Sequence, residues 1–342
     1  MPQPRIPLSV IAKEAGVSVA AVSMALRDHG RIGADTKRRV KAIAQRLGYK
    51  PDPALQALAA YRFGKRDVKV HSTIAFIIFS DARLTALRQK EMWEQEYASL
   101  RSIAGALGYS VDLIDLRSYE RWDRVAELLQ NRGVRGLVLD ISPVPVSELK
   151  WDWNAFSVVT IFAQHQRDMF HRVTVDRLHA AQALTHHLRR GGYRRPGFTY
   201  PRSALSCEHD EWLWVFESAK HALGCARGPR DLDSVCREEE FREWLRREKP
   251  DVVVYLGSSS MLKWLARAGF SVPEQIGFCG LDLQSAEDPA TGLYQNRPLL
   301  AAKAIYLLHT MLQANERGTV ESSFALTIPG QWRDRNTLRV VG

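Results

Sequence analysis

Cysteine is scarce. Four thiols, Cys207, Cys225, Cys236 and Cys279, are spread over 342 residues, and none forms a C-x-x-C pair or stands with histidines at zinc-finger spacing. That pattern argues against a disulfide-stapled scaffold and a structural metal, and reads as reduced, buried thiols. Long apolar runs are also missing, since a membrane-spanning helix needs roughly 20 such residues. The segment Met1 to Val10 carries no apolar stretch ahead of a small-residue cleavage site, so the expectation is a cytoplasmic chain with no membrane partner. The common catalytic signatures are absent: G-x-x-x-x-G-K-[ST], G-x-G-x-x-G after a strand, H-E-x-x-H and G-x-S-x-G. Ser258-Ser259-Ser260 and His186-His187 are chemically tempting but lack triad spacing. No catalytic residue, metal or cofactor is expected.

What is present is a lopsided charge. The net charge is +10, and residues 1–70 hold fourteen Lys and Arg against five Asp and Glu. A small basic module on a nearly neutral body is the footprint of phosphate contact. With 45% hydrophobic residues, the chain has ample material for a core and for more than one domain.

The basic module has a readable pattern. Leu8, Ile11, Ala12 and Ala15 fall at helical spacing, and Gly16 stops that helix. Ser18 is a good N-cap for a second helix, Val19 to Leu26. A third helix is predicted from Asp35 to Leu47, with Val40, Ile43, Ala44 and Leu47 on one face and Gly48 at its end. Two helices around a tight glycine-containing turn form a helix-turn-helix. Asp52-Pro53 is a strong start for a further short helix, Pro53 to Ala60.

The run Ile11-Ala-Lys-Glu-Ala-Gly-Val-Ser-Val-Ala-Ala-Val-Ser-Met-Ala-Leu26, with Thr36-Lys-Arg-Arg-Val40 and Leu47-Gly-Tyr-Lys-Pro51, resembles the DNA-binding domain of the LacI/PurR family of transcriptional regulators. The resemblance implies that the second helix enters the major groove with its N-terminal residues at base edges. It puts base reading at Val19, Ala20 and Met24, where better-known members carry polar residues or Arg. Val19 and Ala20 offer only apolar contact, suited to thymine methyls. Hydrogen-bond readout then falls to Ser18, Ser23, Arg27 or Arg31. Lys37 and Tyr49 are candidate phosphate contacts, as Ser18 and Ser23 are. The family's hinge helix, paired in a dimer, lies in the minor groove, and the count from Tyr49 assigns its base-step wedge to Leu58.

From Val70 onward strand and helix patterns alternate. Strands are predicted at Thr73–Phe79, Val111–Leu116, Gly136–Asp140 and Ser157–Phe162, then at Val173–Asp176, Gly197–Tyr200, Val252–Leu256 and Ile276–Leu281. Repeated βα units give parallel sheets with helices on both faces. This body resembles the family's periplasmic-binding-protein-like core. The likeness is carried by Asp176 with Ala180-Ala181, by His187-Leu-Arg-Arg-Gly-Gly-Tyr-Arg-Arg195, and by Ala268 to Gly277 with Gly280-Leu-Asp282.

The fold expected is therefore α/β. A three-helix helix-turn-helix domain spans 1–51, a hinge helix and linker 52–69, and a two-lobed effector-binding and dimerisation body 70–342. One lobe is expected at 70–163 with 290–320, and the other at 164–289 with 321–342. Ligands of open α/β sheets bind beyond the carboxyl ends of strands. The effector candidates are accordingly Ser80, Asp81, Asp140, Tyr255 and Asp282, joined by Trp212. Trp212 stands where sugar-responsive members place a ligand-gripping Arg, and Leu256-Gly257-Ser258 replaces the family's Asn-Asp. A Trp can stack on a flat ligand or belong to the core. The functional expectation is a sequence-specific regulator, a repressor by family default, that binds a pseudo-palindromic double-stranded DNA operator as a homodimer or higher oligomer. A small-molecule effector of unidentified chemistry, sugars included, would modulate it. The rivals are a regulator with no small-molecule response and a non-specific DNA binder.

Overall fold

The computed structural model describes residues 8–26, 32–47, 49, 72–79, 97–140, 146–161, 169–201, 207–225, 229, 232–235, 237–283 and 285–340. The chain separates into a unit of Met1–Lys69 with Gln313–Asn315 and a unit of Val70–Leu312 with Glu316–Gly342.

In the first unit, helices α1 (Leu8–Ala15), α2 (Val19–Leu26) and α3 (Ala34–Arg46) close around Ile11, Ala12, Ala15, Val22, Ala25, Val40 and Ala44. Gly16 links the first two helices at φ +64, a left-handed conformation that a Cβ disfavours. The Val17 amide donates back to the Ala12 carbonyl at 3.1 Å and so closes the first helix. Across the bundle, Arg46 of α3 pairs with Glu14 of α1.

The second unit is built on two six-stranded sheets. The first runs in the order β11-β5-β4-β3-β1-β2 and is parallel throughout. Its strands are β1 (Ser72–Ile78), β2 (Tyr109–Asp115), β3 (Gly136–Asp140), β4 (Ser157–Ile161), β5 (His171–Val175) and β11 (Ala325–Ile328). The second runs β12-β10-β9-β8-β6-β7, parallel except for β12 against β10. Its strands are β6 (Pro196–Pro201), β7 (Leu232–Val235), β8 (Val252–Tyr255), β9 (Gly277–Leu283), β10 (Gly292–Tyr294) and β12 (Gln331–Arg333).

Side chains alternate between two buried faces, as strands covered on both sides require. On β1, Ile74, Phe76 and Ile78 join one core while Ala75 and Ile77 join another with Val125 and Leu129 of α4 (Trp122–Asn131). On β8, Val252 and Val254 face the first of these cores. Val253 and Tyr255 face a third, formed with Phe241, Trp244 and Leu245 of α7 (Glu238–Glu248) and Leu265 of α8 (Leu262–Arg267). The first core is continuous across both sheets and includes α5 (Arg177–Arg190), α6 (Cys207–Ala222) and α9 (Arg297–Ala314). Asp176 caps α5, its carboxylate accepting the His179 amide at 2.9 Å. Gly136 lets α9 approach β3: a Cβ there would lie 3.0 Å from Leu312 and 3.1 Å from Leu308.

The sheet membership corrects the expected lobe limits. β5 and β11, assigned by sequence to the lobe of 164–289 and 321–342, pair in the first sheet. β10, assigned to the other lobe, pairs in the second sheet. Strand hydrophobicity does not encode which ladder a strand joins; crossovers decide it. Periodicity also passed over β7 and α7. The latter announces itself through Glu238, Glu239 and Glu240 in its first turn, Phe241, Trp244 and Leu245 inward, and Arg246 and Arg247 at its end. The buried thiols Cys225 and Cys279 are free, and burial pushes both upward in pKa. Among the described residues no single helix is long and apolar enough to cross a membrane.

The Thr337 hydroxyl is one of several groups that hold the C-terminal segment to the second sheet. Thr337 Oγ1 accepts the Thr291 amide at 2.8 Å and donates to the Phe278 carbonyl at 2.8 Å. Thr337→Val strands the buried Thr291 amide and should cost about 1–3 kcal/mol in urea unfolding. A change within about 0.5 kcal/mol, the usual range for surface positions, would show that the pin carries nothing.

Candidate functional site

Two places carry candidate chemistry, one in each unit. In the first, Ser18 Oγ accepts the Ala21 amide at 3.1 Å, and the Val22 amide donates to the Ser18 carbonyl at 2.9 Å. This cap starts α2 in the register that buries Val22 and Ala25. The same register turns Ser18, Val19 and Ala20 outward, Val19 being 45% exposed, and leaves Ser23 and Met24 half-buried. The presented surface is apolar with hydroxyls at its edge, and α2 itself carries no charge. Positive charge comes from α3, where Arg38, Arg39 and Arg46 are exposed and Lys37 and Lys41 half-exposed. Tyr49 is half-buried against the three-helix core, with its amide donating to the Ala44 carbonyl at 2.9 Å. Arg27, Arg31 and Leu58 lie outside the described residues.

In the second unit, the carboxyl ends of β3 and β9 bring Asp140 and Asp282 to one guanidinium. Arg297, the first residue of α9, places Nη1 3.8 Å from Asp140 Oδ2 and Nη2 3.7 Å from Asp282 Oδ2. Their side chains are only 18%, 8% and 22% exposed for Arg297, Asp140 and Asp282 respectively. At these lengths the contacts are ion pairs rather than direct hydrogen bonds. Tyr255, the last residue of β8, is 7% exposed and packs in the third core. Burial pushes its hydroxyl up to about 12, and Asp282 adds to the rise while a hydrogen bond with Ser260 opposes it. Gln295 Nε2 donates to the Leu281 carbonyl at 3.0 Å and holds the segment before α9 against β9. Asp288 caps the loop after β9, accepting the amides of Ser259 at 3.3 Å and Ala290 at 3.1 Å.

Trp212 does not line this site. It is 1% exposed in the continuous core, with the Arg177 guanidinium 4.2 Å from its ring centroid. Arg177 is held from its other side by Glu211, Nε to Oε2 at 3.1 Å. Ser80 and Asp81 lie outside the described residues. Arg297 is the residue that sequence reasoning missed. Its only signal was a cation at the start of a long apolar helix, where the macrodipole disfavours it unless an acid stands opposite.

A helix-turn-helix unit followed by a two-lobed α/β body is the layout of a DNA-binding transcriptional regulator. Residues 8–52 match the profile "Bacterial regulatory proteins, lacI family", and residues 185–337 match "Periplasmic binding protein-like domain". Residues 8–52 thus carry the DNA-binding domain of the lacI family of bacterial regulatory proteins, and together with the periplasmic-binding-protein-like body this supports a regulator of the LacI/GalR type. It is 30% identical over 194 residues to the maltose regulon regulatory protein MalI of Escherichia coli K12, covering 56% of this chain and about half, 52%, of that protein. It is 22% identical over 325 residues to the HTH-type transcriptional repressor CytR of Escherichia coli K12, covering 90% of each. In fold it is similar to the transcriptional regulator CelR in complex with cellobiose, with a TM-score of 0.61, 19% identity and coverage of 97% of this chain and 100% of that one. The lac repressor dimer bound to operator and the anti-inducer ONPF superposes equally well, with a TM-score of 0.61, 19% identity and coverage of 98% and 100%.

Both places yield a measurable consequence. Ser18→Ala removes the cap of α2 and should lower the stability of the three-helix unit by about 1 kcal/mol, read in the unfolding transition of that unit. The Tyr255 hydroxyl is raised in the folded state, so the unfolded chain ionises first as pH climbs past about 10. Between about pH 10 and 12 the fold therefore loses stability, by at most about 2–3 kcal/mol from this group. Tyr255→Phe should flatten that part of the curve; identical alkaline slopes for the two proteins would refute the assignment.

Proposed function

We propose that this chain is a sequence-specific DNA-binding regulator, a repressor, that recognises a pseudo-palindromic operator as a homodimer with one α2 helix per half-site. The observation that carries the reading is the outward face of α2. Val19 and Ala20 are exposed at its capped start, inside a unit that is strongly basic. Such a face favours thymine methyls over hydrogen-bonded guanine contacts, while Lys37 and Tyr49 meet phosphates. Residues 52–69 serve as hinge and linker, with Leu58 as a minor-groove wedge. The protein acts in the cytoplasm and catalyses no reaction.

The interlobe site around Asp140, Tyr255 and Asp282 is the place for a small-molecule effector. The cellobiose complex of the structurally similar CelR supports a sugar-like ligand. A second reading, a regulator with no small-molecule response, is favoured by one feature: Arg297 already occupies the space between the two carboxylates.

Selection of bound duplexes from a random pool tests the main reading. The expected product is a palindrome whose half-sites carry thymines opposite α2, and no enrichment by a folded protein would refute sequence-specific binding. Lys37→Ala and Arg38→Ala should each weaken binding to all duplexes alike. Each should also reduce the slope of log affinity against log salt by about 1 for every phosphate no longer neutralised. A weakening confined to the selected site would move those residues from phosphate contact to base reading.

A further inference from the structure

We propose that Arg297 is an internal bridge that ties the two lobes of the body together across the effector site with no ligand present. This rests on reading that interlobe space as the effector site.

The geometry is specific. Asp140 ends β3 in the first sheet, Asp282 lies in β9 of the second, and Arg297 opens α9, whose apolar face packs on the first sheet through Leu308 and Leu312. A single guanidinium turns one nitrogen toward each carboxylate, at 3.8 and 3.7 Å. Arg suits this role because its fork is planar, rigid and charged at every accessible pH, and a Lys point charge cannot address two acceptors in the same way. All three groups are largely shielded from solvent, so salt screens the pairs less than it screens a surface ion pair.

The cation enters from a position that the sequence pattern does not single out. The position aligned with the usual ligand-gripping Arg is Trp212, buried in the core, and the Arg stacked on it is engaged by Glu211. Positive charge reaches the Asp140–Asp282 pair instead from the chain's own α9. Without Arg297 the two carboxylates, each within 4 Å of its guanidinium, would lose a shared counter-charge and repel across the lobes as like charges. The bridge does internally what a ligand spanning two lobes does in a cleft-binding protein: it makes the joined arrangement the favoured one. An effector that engages Asp282 here must displace Arg297 rather than fill an empty gap. Its influence on lobe closure, and so on the hinge, is correspondingly small or reversed in sign.

Small-angle scattering of the full-length protein, without DNA or metabolite, tests this. Arg297→Met removes the charge and keeps most of the side-chain volume, and circular dichroism shows whether it folds. The expected result is a larger radius of gyration for the folded variant. Adding Asp140→Asn to Arg297→Met should reverse most of that expansion, because the repulsion is gone. A merely structural role for the Arg stem would leave the double variant as expanded as the single one. If Arg297→Met fails to fold, Arg297→Lys and Asp282→Asn, which each retain one arm of the bridge, give the same reading at smaller amplitude. Scattering curves identical to wild type for every folded variant would overturn the proposal. So would expansion that Asp140→Asn does not reverse. Because no DNA is involved, a failed operator selection leaves this result standing, and a failed bridge leaves the operator reading untouched.

Discussion

Parallel strands must be covered on both faces, and that requirement shapes the whole body of this protein. Alternate residues of β1 and β8 are apolar on each side, so each sheet needs two helical layers. The chain meets the requirement by letting one core run without interruption from the first sheet to the second, with α5, α6 and α9 between and beside them. The lobes are therefore not independent beads on a string. Crossing segments, β5 into α5, β10 into α9 and β11 into β12, return the chain from one sheet to the other three times. His171 fastens one of these crossings: its Nδ1 accepts the Phe324 amide at 3.2 Å, and its Nε2 lies 2.8 Å from Glu316 Oε1. An Nδ1 that accepts leaves Nε2 as the donor, which fixes the tautomer without requiring a charge.

The carboxyl ends of β3 and β9 come together at Arg297, where strand ends expose side chains that no ladder consumes. This site departs from a plain ligand cleft because it supplies its own counter-ion. Two shielded acids with a guanidinium between them attract over a longer range than an apolar contact does, because Coulomb attraction falls only as the inverse of distance. The DNA-reading unit follows the opposite principle. Its second helix, α2, is uncharged with an apolar exposed start, while α3 carries the positive charge.

Much of this was visible in the order of residues alone. The helix-turn-helix is legible because a helix, a left-handed glycine and a second, capped helix are local events, each governed by neighbours within four positions: Ile11 to Ala15, Gly16, Ser18 to Ala25. The strands β1, β3, β4 and β8 are equally local, as short runs of β-branched and aromatic residues. Asp140 and Asp282 were recognisable as acids at strand ends. The composition also located the positive charge in the first fifth of the chain, and with it the partner class.

Tertiary structure decided the rest. Whether β5 and β11 belong to the first or the second ladder depends on crossovers, and a strand's hydrophobicity is the same in either sheet. Whether Trp212 faces a ligand or the core depends on which side of α6 packs inward, and burial at 1%, in the core that Phe216 of the same helix shares with Phe198, settled it in favour of the core. That Arg297 serves two acids, one 157 positions earlier and one 15, follows only from the fold bringing three strand and helix ends to one point. Ion pairs of this kind leave no periodic trace in a sequence, because Coulomb attraction depends on distance in space and carries no memory of distance along the chain.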